Sequence, residues 1–181
     1  MTGEQIVALA LAAMAVFWAL GAYNRLVALR NTVGQAWARV EEAQRQRAAA
    51  VAPLVAALRG PLAAEHGALD ALLAAQGAST QATTAMSVRH APAAAAAQWL
   101  AAESALTAAA SRVFALLEQQ PALLAQEPVV GLARAWRELA PRLSFARQLF
   151  NEAASSYDEA LAQFPTRLLV PLFGLRRAGR I

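Results

Sequence analysis

Residues Ile6 to Tyr23 (IVALALAAMAVFWALGAY) are eighteen consecutive positions without a formal charge, and they run straight into an Arg-bearing polar stretch, NRLVALRNTVGQAW. At a rise of about 1.5 Å per residue the run makes a helix of about 27 Å, close to the ~30 Å hydrocarbon core of a bilayer. A core helix of a soluble domain is disfavoured, because no polar residue marks a solvent face anywhere in the run. A cleaved signal peptide needs a basic segment ahead of its apolar stretch. Here the only positive charge upstream is the α-amino group, offset by Glu4. Ala13-Met14-Ala15 has the spacing of a cleavage site but lies in mid-run. Residues 1–23 are therefore read as an uncleaved transmembrane anchor.

The flanks set an orientation. No Lys or Arg precedes the run, whereas Arg25, Arg30 and Arg39 follow it closely, which by the positive-inside rule puts the soluble part in the cytoplasm and the N-terminus outside. The chain has no cysteine, so no disulfide reports the redox compartment and no thiol is present for acylation. The anchor must be the helix itself.

The remainder is built to be helical. Alanine, the strongest helix former, supplies 50 of 181 residues, and β-branched and aromatic residues are sparse. All 16 basic residues are Arg, but they form no patch that would suit nucleic acid, and a net charge of +4 specifies no acidic partner.

Periodicity divides the chain into four helical segments. In the first, which continues the anchor, Leu26, Val33, Val40, Arg47 and Leu54 recur every seven residues. They interleave with Arg30, Trp37, Gln44, Val51 and Leu58 in a ladder with three polar rungs. Pro53 should kink or break this helix, and Gly60-Pro61 should end it, with Pro61 opening a second helix from Leu62 through Leu69, Leu72 and Leu73. Residues 77–91 are small and polar, and helix and loop both remain open there. A third helix should open at Pro92 and run through Trp99, Leu106, Val113 and Leu117 to Gln119. QQPALLAQEP then reads as a connection. The fourth is the most regular: Leu132, Trp136, Leu139, Leu143, Ala146, Phe150, Ala153, Tyr157, Ala160 and Phe164 alternate in steps of four and three, with a kink expected at Pro141 and an end at Pro165. These rungs are the seam of an antiparallel bundle. The fold expected is all-α: an antiparallel four-helix bundle (24–164), preceded by and continuous with the transmembrane helix, and followed by a basic and apolar tail (165–181).

Three stretches carry a resemblance. YNRLVALRNTVGQAWARVEEAQRQR resembles the signature of the LemA family of bacterial membrane proteins, whose members carry Tyr-Asn-x-Leu-Val-x-Leu-Arg-Asn-x-Val-x-x-Ala-Trp just after a membrane span. RLSFARQLFNEAASSYDEALAQFPTRLLVPLFGL is similar to its second hallmark, Phe-Ala-Arg-Gln, an aromatic-Asn-x-Ala, a Tyr four residues on, then Phe-Pro and a Gly-containing apolar tail. AESALTAAASRVFALLEQQPALL fits the family's Glu-x-Ala-Leu helix before a Pro-x-Leu. The likeness covers nearly everything from Tyr23 to Leu175, except the segment from Gly77 to Ala91. Departures stand at Glu42 and Gln44, where the family usually has apolar residues, and at Pro53 and Pro141. The resemblance implies a helical bundle on a single span of the bacterial inner membrane. It implies no reaction, because the family has no established biochemical activity.

The residues themselves point to no catalysis. His66 and His90 are the only histidines, Glu65 and His66 diverge by about 100° on a helix, and no metal-binding spacing, phosphate loop or dinucleotide fingerprint occurs. Arg89-His90 reads as loop. No hydroxyl nucleophile has an assignable base. The expectation is therefore no enzyme, no cofactor, no metal and no catalytic residue.

Polar residues at special positions carry other expectations. Arg30, Gln44 and Arg47 hold seam positions by register. Either they form a polar layer meeting acidic residues or an anionic partner, or, the simpler reading favoured here, the register slips near Pro53 and Arg47 lays its stem on the surface. Asn24, Asn31 and Asn151 match the family motifs and suit interhelical hydrogen bonds near the membrane. In an up-down-up-down bundle the tail emerges beside the anchor, so Arg167, Phe173, Arg176, Arg177 and Arg180 are candidate contacts with an anionic leaflet. The alternative is that the tail's apolar residues fold back over the open end of the bundle. The partners expected are the bilayer and an unspecified protein, without nucleic acid. Sequence sets no oligomeric state. A scaffold or adaptor is the leading function, and a lipid-interacting structural protein the second.

Overall fold

The computed structural model describes residues 2–88, 92–168, 170–171 and 173–181. Among these, every regular element is helical. Helix α1 spans Gly3–Leu58, α2 His66–Val88, α3 Ala93–Glu118, α4 Pro121–Leu124 and α5 Val129–Ala162. Single 3-10 turns lie at Ala63–Glu65 and Thr166–Leu168. The expectation for Arg89-His90 lies outside the described residues.

At about 1.5 Å per residue, the 56 residues of α1 reach roughly 84 Å. The first third stands apart from the rest. Residues 3–18 are exposed throughout, including Ile6 at 56% and Phe17 at 74%. An apolar surface of this extent is unstable in water, so the segment is compatible with a single membrane span. Leu26 is the first buried residue. By length and composition α3 is also apolar enough to cross a membrane, but it buries Trp99, Leu106, Val113 and Leu117 together with Glu103, which makes it a bundle helix.

Contacts along the four long helices define antiparallel neighbours. From the apolar run onward, α1 meets α5 at Arg25–Gln163, Trp37–Phe150 and Arg47–Trp136. It meets α2 at Trp37–Ser87 and Arg59–Asp70. Helix α2 meets α3 at Thr83–Trp99 and Ser79–Glu103, and α3 meets α5 at Trp99–Arg147 and Phe114–Trp136. Numbers rise on one helix as they fall on the next, as in an up-down-up-down bundle.

The core has two apolar parts. Near the apolar run, Leu26, Val33, Trp37 and Val40 pack with Trp99, Phe150, Tyr157 and Leu161. At the far end, Val51, Leu54 and Leu58 pack with Leu62, Leu69, Leu106, Val113 and Leu117. Trp99 and Phe150 are fully buried, each contributing about 1.5–3 kcal/mol or more relative to exposure.

Several expectations are corrected and points left open are decided. Pro53 does not break its helix, and α5 likewise continues through Pro141. Both are exposed, as are Ala49 and Arg137 one turn earlier. Each carbonyl that loses its intrahelical partner thus belongs to the wet face, where solvent can replace the bond. Helix α2 does not start at Leu62: that residue has non-helical dihedrals (φ −106, ψ 43) and is buried in the far cluster, so a turn and a 3-10 segment precede His66. Residues 77–88 are helical despite their composition. Ser79, Thr83 and Met86 face the core, and Thr80, Thr83, Thr84 and Ser87 bond back to carbonyls four residues earlier. The connection after Gln120 holds the short helix α4. On α5, Phe164 falls beyond the helix end and is 71% exposed, and Trp136, expected in the seam, is only half-buried.

Candidate functional site at the membrane-proximal end

Between the two apolar parts lies a polar layer. Arg47 is 5% and Glu103 6% exposed. The Arg47 Nη2 donates to both carboxylate oxygens of Glu103, at 2.6 and 2.5 Å. Ser79 Oγ donates to the same carboxylate at 2.7 Å, and the Arg47 guanidinium lies 4.8 Å from the Trp136 ring centroid. Farther toward the apolar run Trp99 Nε1 donates to Thr83 Oγ1 at 3.1 Å, and Thr83 donates to the Ser79 carbonyl at 2.9 Å. All four long helices thus share one polar network. Arg47 does not lie on the surface, as the simpler reading had it; the register holds through Pro53 and carries the guanidinium inward. Glu103, the Glu of the Glu-x-Ala-Leu stretch, had no role assigned from sequence, although its position one rung after Trp99 on the α3 stripe was a usable signal. Gln44, also buried, finds no partner for either amide atom among the described residues.

Toward the apolar run the tail decides the geometry. Helix α5 stops at Ala162, and Arg25 donates to Gln163 at 3.3 Å. Phe173 then packs on Tyr23, ring centroids 4.7 Å apart. Gly174 adopts φ +59, a left-handed conformation that glycine takes without a Cβ clash, and the chain reverses there, with Leu175 N–H donating to the Val170 carbonyl at 3.2 Å. Residues 175–181 run back along the bundle. Asp158 accepts from Ala178 N–H at 2.9 Å and from Arg180 at 3.3 Å. Ile181 N–H donates to Asn151 Oδ1 at 2.9 Å, and Asn151 Nδ2 donates to the Ile181 carbonyl. At Gly179 a Cβ would come within 2.5 Å of the Ala96 Cβ, so only glycine lets the tail lie this close to α3.

The returning tail walls a groove of about 740 Å³ against α1, the end of α2 and the start of α3. Val33, Trp37, Met86 and Leu175 give it an apolar lining, and Arg30, Arg176 and Arg177 also line it. Tyr157 lies in the same wall. Burial raises its phenol above the usual 10.0, although the Arg30 cation acts in the lowering direction, so the hydroxyl stays protonated at neutral pH.

The residues singled out in the sequence are thus distributed unevenly. Arg30 is exposed rather than buried in the seam, and it joins Arg176 and Arg177 at the groove. Arg167 and Phe173 are exposed, with Arg167 over the Phe164 ring, and Arg180 is tied to Asp158. Asn151 binds the tail rather than a helix. Asn24 and Asn31 are exposed and have no interhelical partner among the described residues. Phe145, in the Phe-Ala-Arg-Gln stretch, was not singled out, yet it projects from α5 at 60% exposure.

A comparison with curated proteins returns no match to the chain. A family model does match, over residues 36–180, which is most of the sequence and takes in the bundle and its tail: the chain belongs to the LemA family.

Proposed function

We propose that this protein is a membrane-anchored scaffold or adaptor, without catalytic activity of its own, that presents a rigid bundle surface to a protein partner on the cytoplasmic face of the bacterial inner membrane. One observation carries the reading: α1 passes without a break from the apolar run into the core of the bundle. Anchor and bundle are then one lever, and the height and tilt of every surface residue follow from the position of the span. Phe145, 60% exposed on α5, is the best candidate anchor for a partner, because aromatic residues, Phe included, are enriched at the cores of protein interfaces. A photocrosslinking residue at position 145 in intact membranes should capture a discrete protein, with loss of capture after removal of the bundle's membrane tether. Capture of nothing beyond lipid would refute the scaffold role. The orientation is tested separately: a C-terminal alkaline phosphatase fusion should be inactive and a fluorescent fusion bright, and an active phosphatase would move the bundle outside.

The Tyr23–Phe173 contact and the tail arginines favour a second reading, a structural protein that senses or shapes the lipid surface. They place an apolar and basic loop beside the end of the apolar run, a composition suited to the headgroup boundary.

A further inference from the structure

The groove beside the tail has features that a scaffold surface does not need. Its floor is apolar at Val33, Trp37 and Met86, with Leu175 in the wall, and three arginines, Arg30, Arg176 and Arg177, also line it. One carboxylate lines it, Glu41, which accepts from Ser87 at 3.3 Å. Glu41 stands eleven residues beyond Arg30 on α1, roughly 16 Å along the helix axis. The groove therefore has a basic end toward the membrane and an apolar middle. Its volume of about 740 Å³ falls in the range of about 300–1,000 Å³ usual for small-ligand sites.

Its position also matters. Arg30 is seven residues past Tyr23, about 10 Å above the end of the apolar run, whereas the headgroup layer reaches only about 5–7 Å beyond the hydrocarbon. Phe173, stacked on Tyr23, adjoins Gly174 in the groove wall. The mouth thus opens beside the leaflet, and an occupant must rise partly out of it. A two-chain lipid that did so would expose its second chain to water; a single chain would not.

We propose that the groove is a binding site for a single-chain anionic lipid drawn from the adjacent leaflet, with its anionic head on Arg30, Arg176 and Arg177 and its acyl chain along Val33, Trp37, Met86 and Leu175. The Tyr157 hydroxyl is placed to donate to the head. The site rests on the second reading of function and on the anchor that brings the groove to the membrane. A lysophospholipid and a free fatty acid share the required chemistry.

The full chain, stripped of lipid and held in amphipol, is titrated with lysophosphatidylglycerol, oleate and lysophosphatidylcholine, with stoichiometry read by native mass spectrometry. One saturable site is expected for the anionic lipids. Whichever of the two binds more tightly identifies the head, and equal affinity for lysophosphatidylcholine overturns the proposal. Changing Arg30, Arg176 and Arg177 together to Gln should weaken anionic binding roughly a hundredfold. Gly34→Trp is the sharper variant. Gly34 lines the groove, and a Cβ there meets nothing within 4 Å, so the indole fills the groove while the helix gains from the loss of glycine. It lies about 16 Å beyond Tyr23, so lipids around the span are untouched. Binding that survives Gly34→Trp overturns the proposal, as does complete displacement of lipid by inorganic phosphate, which would leave a headgroup-only anion site. Alkaline extraction of native membranes runs in parallel. Release of the protein there refutes the anchor and leaves the titration to judge the groove alone.

Discussion

Glu103→Leu by itself should damage the bundle more than Glu103→Leu combined with Arg47→Met. The side chains of Arg47 and Glu103 are 6% and 8% exposed and bonded at 2.5 Å. Removing the carboxylate leaves a guanidinium without a charge partner in a region water barely reaches, and strips Ser79 of its acceptor. Breaking a buried pair from one side costs about 3–5 kcal/mol. For a domain of this size each kcal/mol moves the midpoint by roughly 2–4 °C, so the single variant should melt about 6–20 °C below the parent. In the double variant no charge remains to desolvate. Met keeps a flexible stem against Trp136, where the guanidinium now lies, and apolar replacement of a buried pair is often neutral or stabilising by about 1–4 kcal/mol. The double should therefore recover most or all of the loss. Far-UV circular dichroism melts of the full chain and its three variants in amphipol, taken as a double-mutant cycle, measure the coupling. A double variant as unstable as the single, or a Glu103→Leu that melts with the parent, would refute the pairing of these two residues inside the core.

Other consequences follow from burial. Phe150, fully buried against Trp37, should cost about 3–5 kcal/mol as Phe150→Ala, and an unchanged melt would show the register of α5 to be wrong. Gln44→Leu should raise the melting temperature, because both amide atoms are buried without a partner among the described residues and such groups cost about 1–3 kcal/mol. A lower midpoint would mean the amide is fully bonded after all. The Tyr157 phenol is raised by burial, so the folded state holds its proton more tightly than the unfolded chain. The stability this contributes is fully present below pH 10 and is lost as pH climbs through the raised value. Denaturation midpoints followed from about pH 9 to 11 should fall more steeply in the parent than in Tyr157→Phe, and parallel curves would contradict the assignment.

Much of the architecture was legible because helices advertise themselves locally. The 4,3 stripe from Leu139 to Ala160 is a property of consecutive residues, and it survives Pro141 because the proline falls on the wet face. The same stripe misplaced Phe164, since periodicity continues past a helix end that only the chain's exit at Gln163 determines. Residues 77–88 were ambiguous for the opposite reason. Their small polar side chains have weak preferences, and contact with Trp99 and Glu103, sixteen or more residues away, made them helix.

The sequence by itself determined the apolar run, the number of long helices, their core faces and the family. Each of these rests on spacing within one segment or on a linear motif. Only the tertiary structure decided which polar residues meet. Arg47 and Glu103 are 56 positions apart, and nothing local distinguishes a buried arginine with a carboxylate waiting across the bundle from one that snorkels to the surface. The same holds for the tail. Its prolines and arginines allowed either a membrane contact or a return over the core, and pairing of Asn151 with Ile181 and of Asp158 with Ala178 brings residues 175–181 back along the bundle while Arg176 and Arg177 stay exposed. The groove exists only because of that return, so no reading of a single segment could have contained it.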